Sequence, residues 1–201
     1  FDAIGVAGAS RAMSPAEMDE QLAPVLAAMA QLSVPLVHYK VCSTFDSSPA
    51  IGSIGRVMEL SRAAFGAGAI PVVAATPALG RYGLFGNLFA RSGTDGRVHR
   101  IDRHPIMSVH PVTPMHEADL ARHLAAQMRA PLPFANFTLP MFELERAAMD
   151  AELQRAVEAA TPAGAVLFDG ATAAHLTATG RLLESLTQGR DKPLFCIGGS
   201  G

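Results

Sequence analysis

Short apolar runs alternate along the chain with longer stretches of helical periodicity. Residues 2–7, 35–41, 70–75, 165–169 and 194–197 are predominantly apolar and read as strands, 70–75 apolar on both sides as parallel strands tend to be. Between them, Ser14-Pro15-Ala16-Glu17 combines a capping box with proline at the first helical position, which predicts a helix running toward Leu32, kinked or split at Pro24. A second helix follows Ser53, with Val57, Leu60, Ala64 and Phe65 as its apolar positions. A third starts at Thr113-Pro114 and aligns Leu120, Leu124 and Met128 at i, i+4 and i+8. Two more span residues 142–159 and 172–186. Residues 84–90 and 97–102 flank Ser92-Gly93-Thr94-Asp95-Gly96 and read as a β-hairpin, and the proline-rich stretch 130–140 reads as a loop with room for a short strand. The pattern predicts a three-layer α/β fold, a mainly parallel sheet flanked by helices, with a β-hairpin excursion.

At 201 residues, 49% apolar and with a net charge of -2, the chain is long enough for one sizeable core and lacks the basic excess that nucleic acid or acidic membranes would attract. No apolar stretch approaches the roughly 20 residues needed to cross a bilayer. Cys42 and Cys196 lie far apart in or beside strand-like runs, outside any C-x-x-C or His/Cys spacing, so neither a disulfide framework nor a zinc knuckle is expected, and a cytoplasmic setting is the default. Five histidines fall between His99 and His123, at spacings that fit neither H-E-x-x-H nor a helical i, i+4 pair, and no metal site is expected there. His104 and His110, each followed by proline, read as loop anchors. Met13, Met18, Met29 and Met58 read as core fillers.

The candidate chemistry concentrates in one run. Tyr39-Lys40-Val41-Cys42-Ser43-Thr44-Phe45-Asp46-Ser47-Ser48-Pro49 holds one cation, one carboxylate and five hydroxyls, and Gly52-Ser53-Ile54-Gly55-Arg56 closes it into a helix. Placed at the carboxyl end of a parallel strand, where open α/β sheets bind ligands, these groups suit a polyol or sugar acid. Lys40 either bridges Asp46 or holds a substrate carboxylate or phosphate. Ser43, Thr44 and Ser47 bond substrate hydroxyls or satisfy the turn backbone. Asp46 caps, pairs with Lys40, or accepts from a sugar hydroxyl, a binding role rather than proton transfer. Arg11 and Arg81 each follow a strand and suit bidentate grip of a carboxylate, with a surface ion pair as the plainer alternative. Ser10 accompanies the first of them, and Gly80 allows a tight turn at the second. Asn87 reaches in from the hairpin or is a turn residue. Gly52 to Gly55 offers backbone N–H groups to an anion or is simply capped by Ser53.

This run, together with Gly8-Ala9-Ser10-Arg11, Pro77-Ala78-Leu79-Gly80-Arg81-Tyr82 continuing to Phe85-Gly86-Asn87-Leu88-Phe89-Ala90, and Asp102-Arg103-His104-Pro105 continuing through Met107-Ser108-Val109-His110-Pro111-Val112-Thr113-Pro114-Met115, resembles the four-carbon acid sugar kinase family, also called DUF1537, in its amino-terminal substrate-binding domain. The four blocks cover residues 8 to 115 in family order. The resemblance implies a substrate site drawn from Ser10, Arg11, Lys40, Ser43, Thr44, Asp46, Ser47, Gly80, Arg81, Asn87, Arg103 and His104, the last two closing over the substrate. It implies phosphorylation of a tetronate such as threonate, erythronate or 3-oxo-tetronate, with ATP and Mg²⁺ held mainly by a second, carboxy-terminal domain that this chain lacks. Residues 1–201 are then a sugar-acid binding domain truncated at its amino terminus, where family members carry a strand and an acidic D-D-x-T-G loop. The catalytic residue is therefore unassigned, and the chain alone is expected to be inactive. No G-x-x-x-x-G-K-[ST] occurs, and Gly66-Ala67-Gly68 lacks the third glycine of a dinucleotide fingerprint. The partners implied are a small sugar acid and, through the second domain, ATP; neither nucleic acid nor membrane is implied, and a homo-oligomer is compatible. Two rivals stand beside this reading: a non-enzymatic sugar-acid sensor, and an acyl hydrolase suggested by Gly198-Gly199-Ser200 as the start of a nucleophile elbow.

Overall fold

The computed structural model describes residues 3–130, 132–162 and 164–199. The described strands are β1 (Leu36–Lys40), β2 (Ile70–Val73), β3 (Arg81–Leu84), β4 (Asn87–Arg91), β5 (Val98–Arg100), β6 (Phe134–Phe137), β7 (Ala165–Phe168) and β8 (Leu194–Gly198). Five of them form a wholly parallel sheet in the order β1-β8-β2-β7-β6, and β3-β4-β5 form a separate antiparallel sheet. The continuous apolar runs have the physical cause expected of them. β7 and β8 are buried along their whole length, whereas β1, at the sheet edge, has only Val37 fully buried.

The helices are α1 (Pro15–Glu17), α2 (Ala23–Met29), α3 (Ile54–Phe65), α4 (Leu120–Ala125), α5 (Arg146–Ala159) and α6 (Ala173–Leu186). The capping box at Ser14 and Glu17 forms as expected. Between α1 and α2 the chain widens into a π-turn, Met18–Leu22, so Pro24 enters the first turn of a new α-segment, where its missing N–H removes no bond. One apolar core joins Met18, Leu26, Val57, Met58 and Leu124 to the sheet residues Val37, Val72, Leu167 and Ile197, and a second joins Leu153, Ala156 and Leu182 to Phe137, Val166 and Phe168. The result is three layers, with α2, α3 and α4 on one face of the parallel sheet and α5 and α6 on the other. At Gly55 a Cβ would lie 2.7 Å from Gln127 Cβ and 2.8 Å from the Leu124 carbonyl oxygen, so only glycine lets α3 begin this close to the end of α4.

Three expected elements differ. Residues 3–9 form no strand; they run exposed, with Ile4 72% and Val6 60% accessible, while Asp2 lies outside the described residues. Apolar patterning registers the wish to be buried but not whether a neighbouring strand offers its backbone groups. The third helix begins at Leu120 rather than Thr113, capped by the Asp119 side chain, because Thr113 is drawn away into contacts with His110 and Asp46. The hairpin is a three-stranded meander whose first turn, Phe85–Gly86, falls inside what reads as one strand.

That turn is held by Asp169, 1% exposed, whose Oδ2 accepts from the backbone N–H groups of Phe85 (2.7 Å) and Leu139 (3.1 Å) and whose Oδ1 accepts from Gly86 (3.0 Å). Both turn residues have positive φ, 50° at Phe85 and 74° at Gly86, so the conformation depends on these bonds. Asp169→Asn puts an NH₂ group where one acceptor stood and is expected to lower unfolding free energy by about 1 to 2 kcal/mol. Urea denaturation checks this, and an unchanged midpoint would show that the clamp is dispensable.

Candidate functional site

β1 ends at the carboxyl edge of the parallel sheet and releases the polar run into a loop that turns on Phe45. Phe45 is fully buried at φ 57°, a left-handed conformation that non-glycine residues rarely adopt. Its ring fills the core, and the polar residues on either side are drawn inward with it. Asp46, 4% exposed, accepts hydrogen bonds from Thr44 Oγ1 (2.6 Å), Arg11 Nη2 (2.7 Å) and Thr113 Oγ1 (3.1 Å), and Cys42 Sγ lies 3.0 Å from Thr44 Oγ1. Burial alone would raise the Asp46 pKa, but hydrogen bonds from Thr44, Cys42 and Arg11 together with the charge of Arg11 bring it down to about 2. Asp46 is therefore a carboxylate at neutral pH. The same contacts raise the Arg11 pKa, and the Arg11 side chain remains 61% exposed beyond its bond to Asp46.

The Lys40–Asp46 bridge considered from sequence does not form. Side chains alternate along β1, so Lys40 shares a face with His38, opposite Val37 and Tyr39, and Asp46 is reached instead from the 3₁₀ turn Ser10–Ala12. Gly52 seals this arrangement. At φ 63° it donates to the Met13 carbonyl, and a Cβ there would lie 2.6 Å from the Arg11 carbonyl oxygen. Lys40 is exposed and forms no hydrogen bond or ion pair among the described residues. Ser43 is half-buried, and its hydroxyl is likewise uncommitted among them. Ser10 Oγ lies 2.6 Å from the Tyr39 hydroxyl, whose pKa burial raises.

Ser47 is committed elsewhere. Its hydroxyl donates to the Phe45 carbonyl (3.1 Å) and lies 2.9 Å from His123 Nε2, and Gln127 donates to it at 2.9 Å. Gln127 in turn accepts from the Ile54 and Gly55 N–H groups at the start of α3. This buried network fastens the loop to α3 and α4, and desolvation pushes the His123 pKa down to about 4.

The remaining sequence candidates belong to the antiparallel sheet. Arg81 donates to the carbonyls of Leu79 (2.8 Å) and Arg91 (3.3 Å). Gly80, at φ 69°, makes the turn there, where a Cβ would lie 2.8 Å from Arg91 Cβ. Asn87 donates to the Phe85 carbonyl (3.0 Å), a turn contact. His104, 4% exposed, accepts from Ile106 and Met107 N–H groups through Nδ1 and bonds the Arg91 backbone, and burial holds its pKa below the ordinary histidine value. It is the loop anchor that its Pro105 neighbour suggests. Arg103 is exposed. No hydrogen bond or ion pair joins Arg81, Asn87, Arg103 or His104 to the Asp46 cluster among the described residues. The structure thus brings Arg11, Thr44 and Asp46 into one polar cluster, with Ser10, Lys40 and Ser43 at the same edge. Thr113 joins them without having been named as a site residue, bringing its neighbour His110, and Tyr39, one of the run's five hydroxyls, joins through Ser10. Thr113 lies 67 residues from Asp46, and a contact over that separation leaves no local period to read. Ser200, on which the hydrolase reading depends, lies outside the described residues.

A parallel sheet flanked by helices, with hydroxyls, a carboxylate, the paired Arg11 and the exposed Lys40 at its carboxyl edge, is the architecture of an α/β ligand-binding domain. The chain belongs to the family described as the sugar-binding N-terminal domain, which matches residues 1–201. It is 54% identical over 124 residues to a 3-oxo-isoapionate kinase of Paraburkholderia graminis, covering 62% of this chain and 26% of that protein. It is 42% identical over 96 residues to a 3-oxo-tetronate kinase of Methylobacterium radiotolerans, covering 48% and 21% respectively. The chain thus spans about a quarter of the length of these relatives. Its fold matches the crystal structure of a Haemophilus influenzae DUF1537 protein with a TM-score of 0.74 at 22% identity, over 94% of this chain and 42% of that one.

Proposed function

We propose that this chain is the substrate-recognition domain of an ATP-dependent kinase that phosphorylates a four-carbon sugar acid. The observation that carries the proposal is the Arg11–Asp46–Thr44 cluster in the loop that follows β1, with the exposed Lys40 side chain at the end of that strand, in a sugar-binding family domain. The kinase names of the relatives support the reaction type. Lys40 would hold the carboxylate by charge, Arg11 would add a second cation through its exposed side, and Ser43 would meet a hydroxyl. Asp46, satisfied by three donors and ionised, orders Arg11 and the loop rather than moving a proton.

ATP supplies the phosphoryl group when bound, and an acceptor held still relative to it gains most of its rate from that positioning. The described residues contain no group of three or more His, Cys, Asp or Glu side chains placed to hold a metal ion. No helix of the described residues is long and apolar enough to cross a membrane. The test is a phosphorylation assay with the complete protein that carries this domain, ATP and a panel of four-carbon acids including threonate, erythronate and 3-oxo-tetronate. Transfer to at least one of them is expected, and transfer to none, with ATP intact, refutes the proposal.

A further inference from the structure

A groove of about 280 Å³ opens at the carboxyl edge between α6 and the ends of β8 and β2. Thr76, just past β2, lines it and is 2% exposed. Its backbone is fully engaged: its N–H donates to the Arg81 carbonyl, and its carbonyl accepts from Leu79 and Arg81. Its hydroxyl has no hydrogen-bond partner among the described residues, whereas Thr179 in the same groove donates to the His175 carbonyl (2.9 Å). The hydroxyl opens into the groove rather than being sealed in the core, so it can donate to or accept from a molecule that enters.

The surrounding backbone keeps that space open. A Cβ at Gly199 would lie 2.8 Å from Thr76 Oγ1, and one at Gly198 would lie 2.5 Å from His38 Cε1, so any side chain at either position would occupy the ground in front of the hydroxyl or press on its wall. Gly180, midway along α6, faces the groove with nothing within 4 Å of where its Cβ would be. Glycine weakens a helix interior relative to alanine, and close packing inside the chain does not account for it here. The groove also lies at the carboxyl ends of β8 and β2, the edge at which open α/β sheets bind ligands. Its volume falls at the lower end of small-molecule sites and is too small for a nucleotide.

Lys40 is a cation at this edge of the sheet whose side chain makes no hydrogen bond or ion pair among the described residues. It pairs in register with Gly198 and shares the β1 face of His38, which itself lines the groove. From β1 to Thr76 is two inter-strand steps, about 10 Å, which a small acid and the flexible lysine stem span together. We propose that Thr76, with the Gly198–Gly199 backbone, forms the subsite for the uncharged hydroxyl-bearing end of the four-carbon acid, while Lys40 takes its carboxylate at the groove mouth. This rests on the sugar-acid reading above and adds to it an orientation and a residue.

The test is amide chemical-shift titration of the protein with threonate, with butyrate as a carboxylate lacking hydroxyls and threitol as a polyol lacking the carboxylate. Threonate is expected to shift Thr76, Gly198 and Gly199 saturably. Thr76→Val should weaken threonate about 3- to 10-fold, the loss of one neutral hydrogen bond, while Thr76→Ser retains most affinity and butyrate binding does not respond to either change. The melting temperature of Thr76→Val should be unchanged or higher, because the free protein loses no bond there, which separates a binding role from a structural one. Shifts confined to residues 42–46, or unaltered threonate affinity in Thr76→Val, overturn the subsite and leave sugar-acid recognition standing. No saturable binding of threonate or erythronate anywhere overturns both.

Discussion

Acidification from pH 7 to pH 4 is expected to remove about 3 kcal/mol of folding stability, chiefly through His123. Burial lowers this imidazole from 6.5 to about 4 in the folded protein, where Ser47, Gln127 and the Phe45 backbone surround it. Between those two values the unfolded chain binds a proton that the folded one refuses, so stability is intact above pH 6.5, declines through that window, and has lost the whole contribution once the pH passes below the folded value. His38 and His104 are lowered in the same direction by burial and add to the slope. Asp46 follows at lower pH. Its folded pKa of about 2 lies below the ordinary 3.8, so its contribution, of order 2 kcal/mol, is present above 3.8 and is lost as the pH falls through 2. Urea midpoints at pH 7, 5.5 and 4 measure the first loss. His123→Gln should start less stable at pH 7 and show a much flatter decline, and a wild-type midpoint that does not move between pH 6.5 and 4.5 would contradict the buried-neutral assignment.

On the proposed function, replacing Lys40 by methionine in the complete protein that carries this domain is expected to cut kcat/KM for the sugar acid ten- to hundred-fold, from the loss of a charge-assisted contact of about 1.5 to 3 kcal/mol. The Lys40 side chain is exposed and has no partner among the described residues, and methionine keeps its apolar stem, so the melting temperature should stay where it is. That pairing of outcomes distinguishes the proposed role from a structural one. Had Lys40 bridged Asp46, the substitution would have left a buried carboxylate unpaired and Asp46→Asn would have rescued it. With Arg11 as the partner, no such rescue is expected, and Asp46→Asn should instead loosen Arg11 and Thr113 whatever stands at position 40. Unchanged kinetics in Lys40→Met would take the residue out of the site.

The α/β class, the strands at 36–40, 70–73, 165–168 and 194–198, and the helices at 54–65 and 173–186 are legible without coordinates, because each carries its signal locally. Runs of apolar residues on both sides of a strand, a side-chain cap at Ser53 or Thr172, and a 3.6-residue apolar period are properties of neighbouring residues. The loop after β1 is legible as a polar cluster for the same reason, since its hydroxyls, cation and carboxylate are consecutive.

How those groups pair is not local. Sequence proximity favoured Lys40 for Asp46, but strand alternation turned Lys40 to one face, and the chain's return at Ser10–Ala12 delivered Arg11 from 35 residues away. The same distance effect hid Thr113, removed Ser47 into a network with His123 and Gln127, and turned Arg81 onto backbone carbonyls. Residues 3–9 show the converse. They have strand composition, yet a strand exists only where a neighbour supplies a ladder of hydrogen-bond partners, and no strand among the described residues pairs with them. The sequence by itself determined which residues are apolar, which turns are capped and where polar chemistry gathers, because propensity, period and capping act within a few residues. Only the tertiary structure decided which carboxylate meets which cation, which hydroxyls, as at Ser43 and Thr76, have no partner among the described residues, and which are consumed in packing, because hydrogen bonds and ion pairs depend on distances set by elements that meet only after the sheet has assembled.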